Sequence, residues 1–126
     1  MYALITGSRF FNDYDQFTGI LDNILEFGDI IVSGGGGQTD AMAERYARQN
    51  LGTIPQVFKA DWRGLGKIAG PIRNQRMVGE LLRKEQDGEK VLCIAFLIEG
   101  KENKGTRDTM KKARKGGVPV TFYWVK

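Results

Sequence analysis

Residues 32–49 read VSGGGGQTDAMAERYARQ. An apolar run ends in four consecutive glycines. The residues beyond them carry a helical pattern, with Met42, Ala43, Tyr46 and Ala47 on one face. Strand, glycine loop and helix follow in the order in which α/β domains present bare backbone to a ligand. Glycine lets the main chain approach a bound group closely. A helix start offers unpaired N–H groups and partial positive charge, which suit phosphate. Residues 34–37 are therefore expected to cradle a phosphate or a ribose, the plainer alternative being a tight turn. The stretch is neither a P-loop nor a G-x-G-x-x-G fingerprint, because no Gly-Lys-Ser/Thr follows and the strand before it is the second in the chain.

The same alternation runs through the whole sequence. Residues 2–6 (YALIT) form a short apolar strand that ends at Gly7-Ser8-Arg9. Asp13 with Gln16 resembles a capping box. It opens a helix whose apolar face is Phe17, Ile20, Leu21, Ile24 and Leu25 and which Gly28 stops. Residues 29–33 are the second strand, 38–49 the second helix and 56–59 a third, shorter strand. Residues 60–70 read as an irregular, glycine-rich stretch. Pro71 sits in the first turn of the next helix, with Met77, Val78, Leu81 and Leu82 facing inward. Residues 90–97 are the most apolar strand and are expected to be a central strand, not an edge strand. The polar loop EGKENKG leads to a helix beginning near Thr106 and ending at Gly116-Gly117, and residues 118–125 are the last strand.

Strands alternating with helices imply a parallel sheet covered on both faces, joined by right-handed crossovers. The expected fold is one α/β domain over residues 1–126, a Rossmann-like five-stranded sheet of order 3-2-1-4-5.

Composition narrows the chemistry. The chain of 126 residues is 41% hydrophobic and 27% charged, ordinary for a globular domain. No stretch approaches the ~20 apolar residues of a membrane span. The N-terminus lacks a signal-peptide layout, so a cytoplasmic location and no membrane partner are expected. There is no histidine, which removes Ser-His-Asp and Cys-His nucleophile pairs and His-ligated metals. Cys93, the single cysteine, lies in VLCIAF and reads as core. Nothing calls for a metal or a resident cofactor. Net charge is +4, concentrated in residues 101–115, which hold seven Lys/Arg and two Asp/Glu. Such a local excess fits an anionic ligand, nucleic acid or a solvated helix face.

In sheets of this order, ligands bind where the strand order reverses, between the first and fourth strands. Gly7, Ser8 and Arg9, the glycine loop with Gly35, Gly36 and Gly37, and the loop before Thr106 all meet there. Asp40, in the first turn of its helix, either complements the helix dipole or accepts from a ribose hydroxyl. Arg73, Asn74 and Arg76 fall at a helix start, where cations are electrostatically disfavoured. Arg73 and Arg76 are spaced to grip one anion, the alternative being surface salt bridges. Lys104-Gly105-Thr106 offers a Thr N-cap and, beyond ordinary capping, a second anion site. Trp62 either stacks on a base or lodges in the core of its loop. Trp124 is expected in packing. Lys111, Lys112, Arg114 and Lys115 read as a solvated face.

Five stretches, ITGSR (5–9), VSGGGGQTDAMAERYA (32–47), FKADW (58–62), AGPIRNQRM (69–77) and the interrupted GKGTRDT motif (100–109), together resemble the SLOG superfamily, named for the SMF/DprA and LOG proteins. The nearer likeness is to its small YspA-like branch. The resemblance covers nearly the whole chain and implies a Rossmann-like fold that binds nucleotides or nucleotide-derived ligands. Among the relatives are phosphoribohydrolases, single-strand DNA binders and sensors of cyclic ADP-ribose-type signals, and oligomers are common. It places Gly7, Ser8, Gly35, Gly36, Asp40, Arg73, Asn74, Gly105 and Thr106 at family ligand-site positions. The hydrolases carry P-G-G-x-G-T-x-x-E with a catalytic glutamate. Here Thr109 stands where that glutamate belongs, and Asp108 is rotated by about 100° on the helix.

The leading expectation is a non-catalytic binder that senses or sequesters an ADP-ribose-type signal, of the kind used in anti-phage immunity or its evasion. A nucleotide-processing enzyme using Asp40, Asp61 or Asp108 is the alternative. A nucleic-acid binder stands third, because charge outside residues 101–115 is slightly acidic and no run interleaves basic and aromatic residues.

Overall fold

The computed structural model describes residues 1–126 throughout. β1 (Tyr2–Gly7) lies at the middle of the sheet. It pairs in parallel with β2 (Ile30–Ser33) on one side and β4 (Val91–Ile98) on the other. β3 (Gln56–Val57) adds outside β2, and β5 (Val120–Val125) outside β4. All pairings are parallel and the order is β3-β2-β1-β4-β5, as the alternation predicts. Between the strands run α1 (Tyr14–Leu21), α2 (Gln38–Tyr46), α3 (Trp62–Leu65), α4 (Ala69–Gln86) and α5 (Lys104–Lys115). No helix is long and apolar enough to cross a membrane.

Successive strand residues point to opposite faces, and β1 divides the core accordingly. Ala3 and Ile5 join Phe11, Phe17, Tyr46 and Phe96 beneath α1 and α2. Leu4 joins Cys93, Met77, Val78, Leu81 and Ala113 beneath α4 and α5. Cys93 is fully buried, as VLCIAF implies, and burial pushes its thiol up to about 12, which leaves it unreactive. On the first face Phe11, Phe17 and Phe96 form an aromatic cluster with ring centroids 5.1–6.2 Å apart. Phe11 thereby anchors the loop after β1 and leaves its neighbour Phe10 outside.

Several boundaries differ from the sequence reading. α1 stops at Leu21, well before Gly28, although Leu25 is still buried. The break falls at Asp22-Asn23, poor helix formers. Asp22 Oδ1 there accepts a 2.6 Å hydrogen bond from Tyr46 Oη, which ties α1 to α2. Asp13 does cap α1, accepting from the Gln16 N–H at 3.0 Å. α2 runs on into a π-helical turn, Ala47–Leu51, whose wider spacing brings Leu51 into the core. The stretch read as irregular, 60–70, is helical from Trp62 on: α3, then a 3-10 turn (Gly66–Ile68), then the start of α4. Trp124 does not pack inside. It is 55% exposed because α5 lies over β4 and leaves the outer strand uncovered.

Candidate functional site

The carboxyl ends of β1, β2 and β4 open into one cleft of about 1160 Å³. Its walls are the loops after these strands and the first turns of α2, α4 and α5, at the point where strand order reverses. Seven Lys and Arg side chains line it, against three Asp and Glu. Two aromatic residues on its lining, Phe10 and Trp62, are more than half exposed.

The exit of β1 is tightly built. A Cβ at Gly7 would come within 2.6 Å of Thr39 Cγ2, so α2 can approach the strand only because residue 7 has no side chain. Thr39 Oγ1 donates to the Ser8 carbonyl at 2.7 Å, and Ser8 Oγ accepts from the Phe10 N–H at 3.1 Å. Ser8 therefore shapes the turn, while Arg9 and Phe10 project from it.

The four glycines are explained largely by the chain's own side chains. The Arg73 guanidinium lies against Gly34, and Nη1 donates to the Gly34 carbonyl at 2.7 Å. Gly35 has φ +65°, a left-handed conformation open to glycine at little strain. A Cβ at Gly37 would meet Arg9 Cβ at 2.7 Å. The Gly36 N–H donates to Asp40 Oδ2 at 2.9 Å. The expected phosphate cradle thus already holds a carboxylate, and what the loop turns toward the cleft is Asp40. Burial raises the Asp40 carboxyl above the usual carboxylate range, and the loop amides and Arg73 only partly offset it.

A polar chain crosses from the glycine loop to α5. Arg73 Nε donates to Asn74 Oδ1 at 2.8 Å. Asn74 Nδ2 donates to Asp108 Oδ2 at 3.0 Å and, more weakly, to the Gly105 carbonyl at 3.4 Å. Lys112 Nζ completes the set at 2.6 Å from the same Asp108 oxygen. Burial works to raise Asp108, but the hydrogen bonds from Lys112 and Asn74 outweigh it and hold the carboxyl below its ordinary value. Thr109 is fully buried and its hydroxyl donates to the Gly105 carbonyl one turn back, so it lies in the helix packing and not on the cleft wall.

Most residues expected at the site line the cleft: Gly7, Ser8, Arg9, Gly36, Gly37, Asp40, Trp62, Arg73, Asn74, Lys104, Gly105 and Thr106. Gly35 and Arg76 do not. Gly35 faces Val57 and Lys59 on the far side of its turn. The Arg76 guanidinium lies 5.4 Å from the centre of the Phe58 ring. Arg73 and Arg76 therefore diverge, and the shared grip on one anion does not form. Thr106 is not an N-cap. α5 begins earlier, at Lys104, with Asn103 in the N-cap position but making no side-chain cap, and Thr106 is its third residue. Asn103 sits at φ 52° and binds the Ile98 N–H and carbonyl through its side chain, which fixes the loop after β4.

Phe10, Lys67, Lys101 and Arg107 also line the cleft without having been singled out from the sequence, and so does Lys111, which was expected on a solvated helix face. For Phe10 the only signal was its place directly after GSR at a strand's carboxyl end. Lys111 shows none, because one helix face looks much like another until its neighbours are known.

Fold and cleft together define an α/β protein of Rossmann-like architecture, with a basic, aromatic-edged cavity at the switch point of its sheet. The chain is 35% identical to the Gene 61 protein of Mycobacterium phage D29 over 125 residues, covering 94% of this chain and 92% of that protein, and it belongs to the same family. No family model matches the chain. No solved structure matches it significantly.

Proposed function

We propose that this protein is a SLOG-like domain that binds a nucleotide-derived, phosphate-bearing small molecule without altering it, and so senses or sequesters that molecule. The observation carrying this reading is the cleft itself: an excess of cationic side chains, with Phe10 and Trp62 exposed beside them as surfaces for a base. Its volume exceeds the ~300–1000 Å³ of ordinary small-molecule pockets, which favours a ligand larger than a mononucleotide, such as an ADP-ribose-type signal. The lack of a free carboxyl at the position of the hydrolases' glutamate supports binding over cleavage. Thr109 is turned into the helix, and Asp108 is held ionised by Lys112 and Asn74, a poor state for proton donation. The origin of the relative in Mycobacterium phage D29 suits the sequestering form of this reading.

A second reading, hydrolysis of a nucleotide bond, is favoured by Asp40, a cleft carboxyl with a raised pKa beside Arg73. One experiment separates the two. The protein is mixed with AMP, ATP, NAD, ADP-ribose, cyclic ADP-ribose isomers and a cytokinin nucleotide, then filtered. Filtrate and heat-released material are chromatographed. A ligand that leaves the filtrate and returns intact on heating supports binding. Conversion to free base or a shorter phosphate, abolished in D40N, supports the enzyme. A panel left wholly in the filtrate refutes both for these ligands.

A further inference from the structure

The sheet ends unevenly. One edge is β3, only two residues long. The other is β5, six residues reading VTFYWV, with neither a charge nor a proline to blunt it. β5 pairs with β4 alone, and its outward N–H and C=O groups meet no other part of the chain. Phe122 and Trp124 alternate along it, so they stand on one face of the strand. They are 45% and 55% exposed. Their face is the one turned toward α5. The Arg107 guanidinium lies 5.9 Å from the centre of the Trp124 ring, and Val120, on the same face, packs with Ala95, Leu97 and Met110. About two helical turns further on, Arg114 falls on the same stripe of α5 as Arg107. Its charge reaches Cys93, which is paired in register with Val120. Two arginines therefore run beside β5, one toward each end. Both are exposed, and neither has a carboxylate within ion-pair distance.

We infer that the β5 edge and the adjoining stripe of α5 form a docking site for an extended acidic segment of another protein, which adds to the sheet as a further strand. The free main-chain groups of the edge hold any strand, and the side chains above it select which one. Arg107 and Arg114 stand about 10 Å apart along the helix axis. Four residues of strand span ~13 Å and return to the same face. Two carboxylates at that spacing reach the two long, flexible arginine side chains, and an apolar residue midway between them lies on the Phe122 and Trp124 rings. Glu99 lines a small hollow beside Trp124 and bounds the basic stripe at that end. Charge also decides against a second copy. Two β5 edges paired across a two-fold axis run antiparallel, which sets Arg107 of each chain near Arg114 of the other, and like charges so placed repel. A nucleic-acid strand would find the cations and the rings but leave the main-chain edge unpaired. Arg107 also lines the cleft, whereas Arg114, Phe122 and Trp124 do not, so docking can be tested without altering the cleft.

The probe is a fluorescein-labelled peptide with the core Glu-Thr-Leu-Thr-Glu between Thr-Val flanks. It is titrated with the intact protein at about 0.1 M salt and read by fluorescence anisotropy. Saturable binding is expected, weakened about tenfold or more in R114E and in W124S. Thermal midpoints of both variants are expected to stay unchanged, because both side chains are exposed. The isomeric core Glu-Thr-Leu-Glu-Thr turns one carboxylate to the opposite face and is expected to lose a similar factor. The first peptide carrying N-methyl groups at alternate residues, which removes the donors along one of its edges, is expected to bind no longer when that edge is the one facing β5; the two alternating patterns are therefore compared. Absence of binding by the unmodified peptide overturns the inference. So does binding that neither the isomer nor W124S weakens, and so does equal binding of both methylated patterns. Tighter binding of a single-stranded DNA oligonucleotide that R114E abolishes overturns it in favour of nucleic acid. A wild-type dimer that W124S dissociates overturns it in favour of a second copy.

Discussion

Asn74 on α4 reaches Asp108 on α5 through a 3.0 Å hydrogen bond from Nδ2 to Oδ2, while its Oδ1 accepts from Arg73. Asn74 is 4% exposed, so both ends of one buried amide are satisfied by charged partners. Asp40 and the basic side chains are displayed from a frame that this amide locks. Asn74→Ala removes the bridge and leaves Asp108 and Arg73 each short of a partner. It is expected to lower stability by about 1–3 kcal/mol, read from the urea midpoint, and to weaken ligand retention in the filtration assay. Retention unchanged alongside the stability loss would show that Arg73 keeps its place without Asn74.

Two of the three carboxylates on the cleft lining, Asp40 and Asp108, are expected to respond to pH with opposite signs. Burial raises Asp40, so its contribution to stability is full below the unfolded pKa near ~3.9 and is lost as pH rises through the folded value. D40N, which keeps an acceptor for the Gly36 N–H, should be at least as stable as wild type at pH 7, and the difference should shrink on acidification. Asp108 is lowered, so its contribution is present above the unfolded pKa and is lost as pH falls through the folded one. D108N should be less stable than wild type at pH 7, and that gap should close in acid. Thermal midpoints across pH 3–8 check both signs.

Glycines in this chain are not interchangeable. A methyl at Gly37 would meet the backbone of Arg9, with its Cα at 2.9 Å, so Gly37→Ala must displace the loop after β1 and should cost about 1–3 kcal/mol. Gly79 lies in the interior of α4 with nothing within 4 Å of its would-be Cβ. Gly79→Ala should stabilise by about 0.5–1 kcal/mol through helix propensity alone. Denaturant unfolding of the two variants side by side is decisive.

Phe10 and Phe11 are adjacent and should separate binding from folding. Phe11 is fully buried in the aromatic cluster, and Phe11→Ala should cost about 3–5 kcal/mol. Phe10 is 53% exposed on the cleft lining, with Lys101 Nζ 4.5 Å from its ring centre. Phe10→Ala should leave stability within about 0.5 kcal/mol and reduce ligand retention. Equal losses of retention in both folded variants would argue that Phe10 makes no contact of its own.

What the sequence determined by itself was the class of fold, the strand order and the end of the sheet where a cleft must lie. Those follow from local patterns: apolar runs of strand length, helical spacing between them, and glycines at strand exits. Helix periodicity and crossover handedness leave little freedom once these are read. The partners of each side chain were decided only in three dimensions. The glycine loop read as a bare cradle, yet Arg73 comes from 39 positions away to fill the space at Gly34, and Asp40 occupies the Gly36 amide. Arg73 and Arg76 share a spacing that suggests one target, but Phe58 draws the second away. Trp62 read equally as a base platform or as loop packing and Trp124 as packing, yet both remain exposed. Spacing along a chain fixes which face a residue occupies. Which face is covered, and by what, depends on elements distant in sequence, and the site's chemistry is set there.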